Sequence, residues 1–308
     1  MKPITILTYI LLTFWLIVVT FPLLWVGFNS LRSSQEIFDK PLGIPWLITG
    51  TPEKYADVPD QPTPKESALN NYENAWVKSN FSQYFINSVI VTAVSLAGVI
   101  LLGAMAAYVL AKTNLRGNKI IYLYFISGMM IPAQLILVPL FFQYSTMADA
   151  FSWFTKPLGY EIQLHSSLAG LILIYVAFSL PFTILILTGF FKSLPNALRE
   201  SAIIDGASEY TVFWKIMLPL ARPGLITAAI FNFLGIWNEY LFALVFVNSP
   251  EKKTLPLGLA SVSIQAQYKT DFGLLFAGLI IIIIPTLITY LVLQKQLTKG
   301  ITAGALKG

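Results

Sequence analysis

Lys192–Arg222 reads KSLPNALRESAIIDGASEYTVFWKIMLPLAR. Pro195 suits the first turn of a helix, where a missing N–H costs nothing. Good helix formers follow, and Glu200, Ile203, Ala207 and Tyr210 fall on one helical face. Asp205-Gly206 permits a bend, because glycine tolerates positive φ. Ser208 can cap a second short helix. That helix presents Val212, Phe213, Ile216 and Met217; Pro219 ends it and Pro223 opens the next segment. The stretch therefore predicts a short helix–turn–helix. Two placements fit it: a compact unit on a membrane protein's surface, small and partly apolar on one face, or an amphipathic pair resting on a bilayer.

The flanking sequence is apolar. Of 308 residues, 56% are hydrophobic and 11% charged, with mean hydropathy +0.70. Soluble domains average about 25% charged residues, so this chain has too few charges to coat a globule. A spanning helix needs about 20 mainly apolar residues. Six stretches qualify: 4–28, 85–110, 120–142, 168–190, 224–247 and 273–293. The first has an apolar run about twice that of a secretory h-region, and no small-x-small cleavage site follows. It reads as a retained helix. Glu239 is the single formal charge within these spans. The expected architecture is one all-α membrane domain over 1–308.

Charge sets the orientation. Lys2, Lys112, Arg116, Lys119, Lys192, Arg199, Lys215, Arg222, Lys295, Lys299 and Lys307 lie on one side, with both termini and segment 191–222. They are about twice as dense as the remaining Lys and Arg on the other side, which makes their side cytoplasmic. The first outer loop, 30–84, holds Pro41, Pro45, Pro52, Pro59, Pro62 and Pro64, a composition hostile to a regular sheet or a long helix. Its end, 70–80, carries helix formers and Trp76, and is expected along the membrane interface.

Several chemistries are excluded. The chain has no Cys and one His, His165, so thiolate and His-cluster metal sites are absent. It lacks the G-x-x-x-x-G-K-[ST] that cradles ATP phosphates, and H-E-x-x-H and G-x-S-x-G as well. It has no pair of intramembrane acids for proton coupling. Nothing clusters as an enzyme site, and any use of ATP must lie on another chain. A self-sufficient secondary transporter or channel is the alternative. Glu239 admits two roles, a residue of a transport path or a structural group bonded to nearby backbone. Asn87, Gln134, Gln143, Asn232 and Asn238 are amides suited to interhelical hydrogen bonds or to sugar contact. Pro132, Pro139, Pro181 and Pro285 predict kinks, and most tryptophans suit interfacial anchoring, with sugar stacking open for Trp237.

A motif in segment 191–222 bears on the two placements. Glu200, Ala202, Gly206, Ile216, Leu218 and Pro219 follow E-A-A-x-x-x-G, nine residues, then I-x-L-P, with Ser201 standing where the pattern has its first Ala. This resembles the cytoplasmic coupling loop of permease subunits of bacterial ABC importers. Trp237-Asn238-Glu239-Tyr240, Thr254-Leu-Pro-Leu-Gly-Leu259 and the ending Gly300-Ile-Thr-Ala-Gly-Ala-Leu-Lys-Gly308 are similar to motifs of the carbohydrate branch, in particular its maltose-type G-like subunit. The first outer loop is longer than usual there.

The resemblance implies a type I importer permease fold with a coupling helix, in a bacterial cytoplasmic membrane. It implies that Glu200, Ser201, Ala202, Asp205, Gly206, Ala207, Ile216, Leu218 and Pro219 couple the chain to an ATPase. It places Asn232, Trp237, Asn238 and Glu239 as candidates for the translocation path. It brings the tail, 294–308, through Thr302, Gly304 and Lys307, to the ATPase. The implied partners are a second, related permease, two ATPase subunits and an extracytoplasmic sugar-binding protein, besides the lipid bilayer. The chain itself would hold no cofactor or metal; ATP and Mg would sit on the ATPases. Nucleic acid is not among the partners.

Overall fold

The computed structural model describes residues 3–52, 63–158, 164–269 and 271–305. They are helical with connecting turns, and no strand occurs among them. Five helices are long and apolar enough to cross a membrane: within Ile4–Asn29, Phe81–Lys112, Ala133–Trp153, Leu168–Ser193 and Phe272–Gln294. A sixth crossing is made if the bent pair Glu209–Leu220 and Arg222–Trp237, which meet at 74°, counts as one. The residues divide into two compact units, 1–84 with 257–285 and 85–256 with 286–308.

In the first unit, α1 (Pro3–Asn29) is followed by the short helices α2 (Ser34–Asp39), α3 (Trp46–Thr49) and α4 (Pro64–Glu73). A π-helical turn, Asn74–Lys78, follows, and α5 (Phe81–Lys112) begins. The long loop is thus ordered where it is described, and helix begins at Phe81, earlier than expected from hydropathy. Arg32 is the knot: its guanidinium is 1% exposed and donates to Asn29 Oδ1 (2.8 Å) and to the carbonyls of Glu36 and Lys40 (both 2.6 Å). Glu36 pairs with Arg32 and accepts the Trp46 N–H. Asn71 then donates to the carbonyls of Ser30 (3.0 Å) and Arg32 (2.8 Å). Buried charge is tolerated here because it is paired and bonded to backbone. Pro45 and Pro64 sit at helix starts, where a missing N–H is harmless. Pro59 and Pro62 lie outside the described residues.

In the second unit, α6 (Asn118–Gly128) and α7 (Ala133–Thr155) replace the single span expected over 120–142. The reason is Pro132: it lacks an N–H and biases Ile131 away from the helical region, so the apolar run breaks at 129–132. α8 (Leu168–Ser193) is continuous through Pro181. Then come α9 (Asn196–Ile204), α10 (Glu209–Val212), a π turn (Phe213–Met217), α11 (Leu218–Leu220), α12 (Arg222–Trp237) and α13 (Leu241–Phe246). The expected span 224–247 is therefore not one helix; it is interrupted at Asn238–Tyr240. α14 (Leu255–Lys269) and α15 (Phe272–Ala305) complete the chain. α15 carries helix to Ala305, so the tail expected from 294 continues this helix as far as it is described, and Lys307 lies outside the described residues.

Small residues set helix spacing in this unit. A Cβ on Gly103 of α5 would fall 2.5 Å from Thr183 Cγ2 of α8, and one on Gly224 of α12 would strike the Phe190 ring. In lipid, where apolar surface gives no net drive to associate, such close backbone approach supplies the packing. Asn232 of α12 adds a bond across helices, donating to Thr183 Oγ1 (2.8 Å) and to Ala228 O (2.7 Å).

Candidate functional site

The segment after α8 forms the expected helix–turn–helix, with its reversal at Gly206. Ala207 N donates to Ala202 O (2.9 Å) and Gly206 N to Ile203 O (3.0 Å). This pair is the Schellman closure of a helix end, and it requires a left-handed residue at Gly206. Gly206 has φ +82°, with open space where a Cβ would sit. The glycine is therefore needed for conformation and not for room. Because α9 ends at Ile204, the face expected to join Glu200 and Ile203 to Ala207 and Tyr210 is not continuous.

Ser208 caps α10, its Oγ accepting from Thr211 N at 3.3 Å. Pro195 is the residue before α9, not one of its first turn. The chain after Ser208 is helical through a π turn to Leu220. Pro219 lies at the start of α11, where its missing N–H cannot support an α ladder. Pro223 lies in the first turn of α12.

One side of this loop is core. Val212, Phe213 and Met217 are buried against Tyr108 of α5 and Leu187 and Phe191 of α8, and Ala202 joins them. The other side faces out. Glu200, Ser201, Ile203, Asp205 and Gly206 are exposed, and Ile204 is 84% exposed. Ala207, Ile216 and Leu218 are half-buried, and Pro219 is exposed. Carboxylates next to bare isoleucines make a strip that can take both charge and apolar contact from another surface.

Polar bonds tie the loop to its surroundings. Tyr108 OH donates to Glu209 Oε2 at 2.7 Å, and Arg199 bonds both oxygens of the same carboxylate. The bond to Glu209 holds the Arg199 guanidinium above its ordinary value. Lys112 Nζ donates to Leu194 O and Asn196 Oδ1, both at 2.6 Å. Sequence reasoning used Lys112 and Arg199 only for orientation and did not single out Tyr108 or Glu209. The Arg199–Glu209 pair spans a chain reversal, which no helical periodicity registers.

The second candidate region is the interruption after α12. Asn238 ends α12, donating from Nδ2 to Leu234 O at 2.9 Å. Glu239 starts α13: Oε1 accepts from Phe242 N (2.8 Å) and Oε2 from Ala243 N (3.2 Å). Tyr175 OH of α8 donates to the same Oε2 at 2.6 Å. Both carboxylate oxygens thus serve as a helix cap. Trp237 is 3% exposed, stacked on Phe233 (5.8 Å, 16°) and edge-on to Phe85 (5.7 Å). Asn238 is exposed and Asn232 buried. Asn87 donates to the carbonyls of Glu251 (2.8 Å) and Lys253 (2.9 Å), and Ser88 Oγ accepts from Leu255 N (2.8 Å), which fixes the TLPLGL motif at its start. Thr302 and Gly304 lie within α15.

Comparison with known proteins gives one consistent result. Residues 99–302 match the family described as binding-protein-dependent transport system inner membrane component. The chain is 37% identical over 303 residues to the diacetylchitobiose uptake system permease protein NgcG of Streptomyces coelicolor, covering 98% of this chain and 88% of that one. It is 31% identical over 287 residues to the trehalose transport system permease protein SugB of Mycobacterium tuberculosis, covering 93% and 92%. In fold it is similar to a chain from the crystal structure of a bacterial ABC transporter involved in the import of the acidic polysaccharide alginate, with TM-score 0.72, 20% identity and 95% of each chain covered.

Proposed function

This chain belongs to the binding-protein-dependent transport system inner membrane components, and we propose from that premise how it works as the permease subunit of a sugar ABC importer. The observation that carries the reading is similarity along nearly the whole chain to permeases for diacetylchitobiose and trehalose. The chain is a multi-pass inner-membrane protein, and the transport role is that of a permease. We place both termini and the loop 191–222 in the cytoplasm, on the density of basic residues.

In this reading the exposed strip Glu200–Gly206 is the docking surface for an ATP-hydrolysing subunit. Ala202 and Ala207 keep the helix end slim, and Ile216, Leu218 and Pro219 hold the second half of the loop beneath it. ATP and Mg bind on that partner, which also does the hydrolysis. A second, related permease completes the path, a second ATPase sits below it, and an extracytoplasmic sugar-binding protein delivers substrate. Partner closure driven by ATP pushes the strip and shifts the helices between two packings. Swinging such an equilibrium from 1:99 to 99:1 takes about 5.5 kcal/mol of differential binding.

Asn232 and Trp237 are engaged within the helix packing, which supports a structural role for them. Asn238 is the exposed member of the four path candidates and the one we favour for contact with sugar. Thr302, Gly304 and Lys307 are proposed to extend the ATPase contact.

The test is Gly206→Trp. A Cβ at Gly206 meets nothing within 4 Å, and φ +82° strains any L-residue there, so the variant should insert in the membrane yet lose co-purification with the ATPase and lose sugar uptake, where Gly206→Ala, strained alike, keeps both. Wild-type assembly and uptake would sink the docking assignment. Uptake by the chain alone, without an ATPase, would establish a secondary transporter instead.

A further inference from the structure

The docking strip faces outward, but the same loop carries a second set of polar groups, half-buried Arg199 and exposed Glu209, bonded to each other and to α5. Tyr108 and Lys112 are one helical turn apart on α5, 4% and 9% exposed, so they lie on one face. Tyr108 reaches α10 through Glu209, and Lys112 reaches the start of α9 through Asn196 Oδ1 and the end of α8 through Leu194 O. Arg199 of α9 bonds Glu209 of α10, across the Gly206 reversal. Three helices are therefore joined pairwise: α5 to α10, α5 to α9, and α9 to α10.

This closure answers a mechanical difficulty. The apolar core beneath the loop is non-directional and resists sliding poorly. Gly206 reverses the chain through two main-chain bonds and has no side chain of its own to brace α9 against α10. A push on Glu200–Gly206 would then fold the loop at Gly206 and leave α5 behind. Directional, charge-assisted bonds on both sides of the reversal prevent that.

We propose that Tyr108, Lys112, Arg199 and Glu209 are positioning residues that lock the two loop helices to α5, so that α5 and the loop move as one body. The proposal rests on the reading of the strip as the site where an ATPase pushes. It adds the residues that carry the push to a particular spanning helix.

The chain has no cysteine, so a pair of spin labels can be placed without other changes: Ala197→Cys in α9 and Met105→Cys on the exposed side of α5. The label distance is measured in the assembled transporter, nucleotide-free and then trapped with ATP and vanadate. The wild-type background should give one narrow distance, unchanged by nucleotide. In Tyr108→Phe with Glu209→Gln, the distribution should broaden and shift on nucleotide, with the unlocked population up about tenfold, equivalent to about 1.4 kcal/mol. A wild-type distance that changes with nucleotide overturns the proposal. So does a double variant as narrow as wild type in both states. Tyr108→Phe alone, which removes one hydroxyl, keeps the test open if the double variant does not assemble. It should broaden the distribution in the full chain in lipid nanodiscs; no broadening there overturns the lock. Failure of the wild-type chain to assemble with an ATPase would count against the function proposed above, whereas the nanodisc measurement would still decide the lock.

Discussion

Two helix interruptions in the second unit are built in opposite ways. At Gly206 the backbone makes the break: a left-handed glycine closes α9 by two main-chain bonds, and the nearby side chains Glu200, Ser201 and Asp205 stay exposed. At Glu239 a side chain makes the break: the carboxylate takes two N–H groups of α13 and the hydroxyl of Tyr175. The first kind leaves its polar groups free for another molecule. The second consumes them in holding the fold. An acidic residue near a helix break thus says little about function until its oxygens are accounted for.

The largest effect that would break this contrast is at Glu239. Glu239→Leu removes the cap of α13 and leaves Tyr175 OH without its acceptor. Cap loss and an unsatisfied buried hydroxyl together cost about 3 kcal/mol. A clear fall in the melting midpoint of the purified chain is expected, whatever happens to transport. Glu239→Gln keeps one acceptor and should lose roughly half as much. If Glu239→Leu melts like wild type but abolishes uptake, Glu239 belongs to the path and the two breaks are alike.

Gly206→Ala comes next. An L-residue held at φ +82° is strained by about 1–2 kcal/mol, with no steric clash to add. The chain should melt slightly lower and still bind the ATPase. A loss as large as that of Glu239→Leu would mean that the loop is a principal part of the fold and not a surface laid upon it.

How legible each region was in the sequence follows from the same physics. Runs of about 20 apolar residues are self-announcing, since no other element needs them, and α1, α5, α8 and α15 were visible for that reason. The break at 129–132 was visible only as a kink at Pro132, not as a helix end, and the break at 238–240 was not visible, because hydropathy averages over a few polar residues inside an apolar run. Pro132 was the available signal for the first; the adjacent Asn238 and Glu239 were the signal for the second. Gly206 was readable because glycine next to aspartate at a helix end has few other uses. The partners of the buried polar groups were unreadable: Tyr175 and Glu239 are 64 residues apart, and Tyr108 and Glu209 are 101 apart. The bonded structure of the first loop's described residues was hidden for the same reason, because its prolines show while the bonds of Arg32 do not.

The smallest effect is at Ser201, and it separates the regions most cleanly. Its side chain is exposed, and its carbonyl, which accepts from Asp205 N at 2.9 Å, is unaffected by substitution. Ser201→Ala should leave the lone chain within about 0.5 kcal/mol of wild type, the usual range for a surface change. Docking alters the outcome, because the strip is then desolvated and the hydroxyl must find a partner or lose its water. Affinity for the ATPase should therefore shift, by less than tenfold, while the melting midpoint of the lone chain does not. Tyr175→Phe, at the other break, should do the reverse: lower the lone chain's midpoint and leave ATPase affinity unchanged. A lone-chain shift of several degrees for Ser201→Ala would place its side chain in the fold and erase the distinction between a break that serves a partner and a break that serves the bundle.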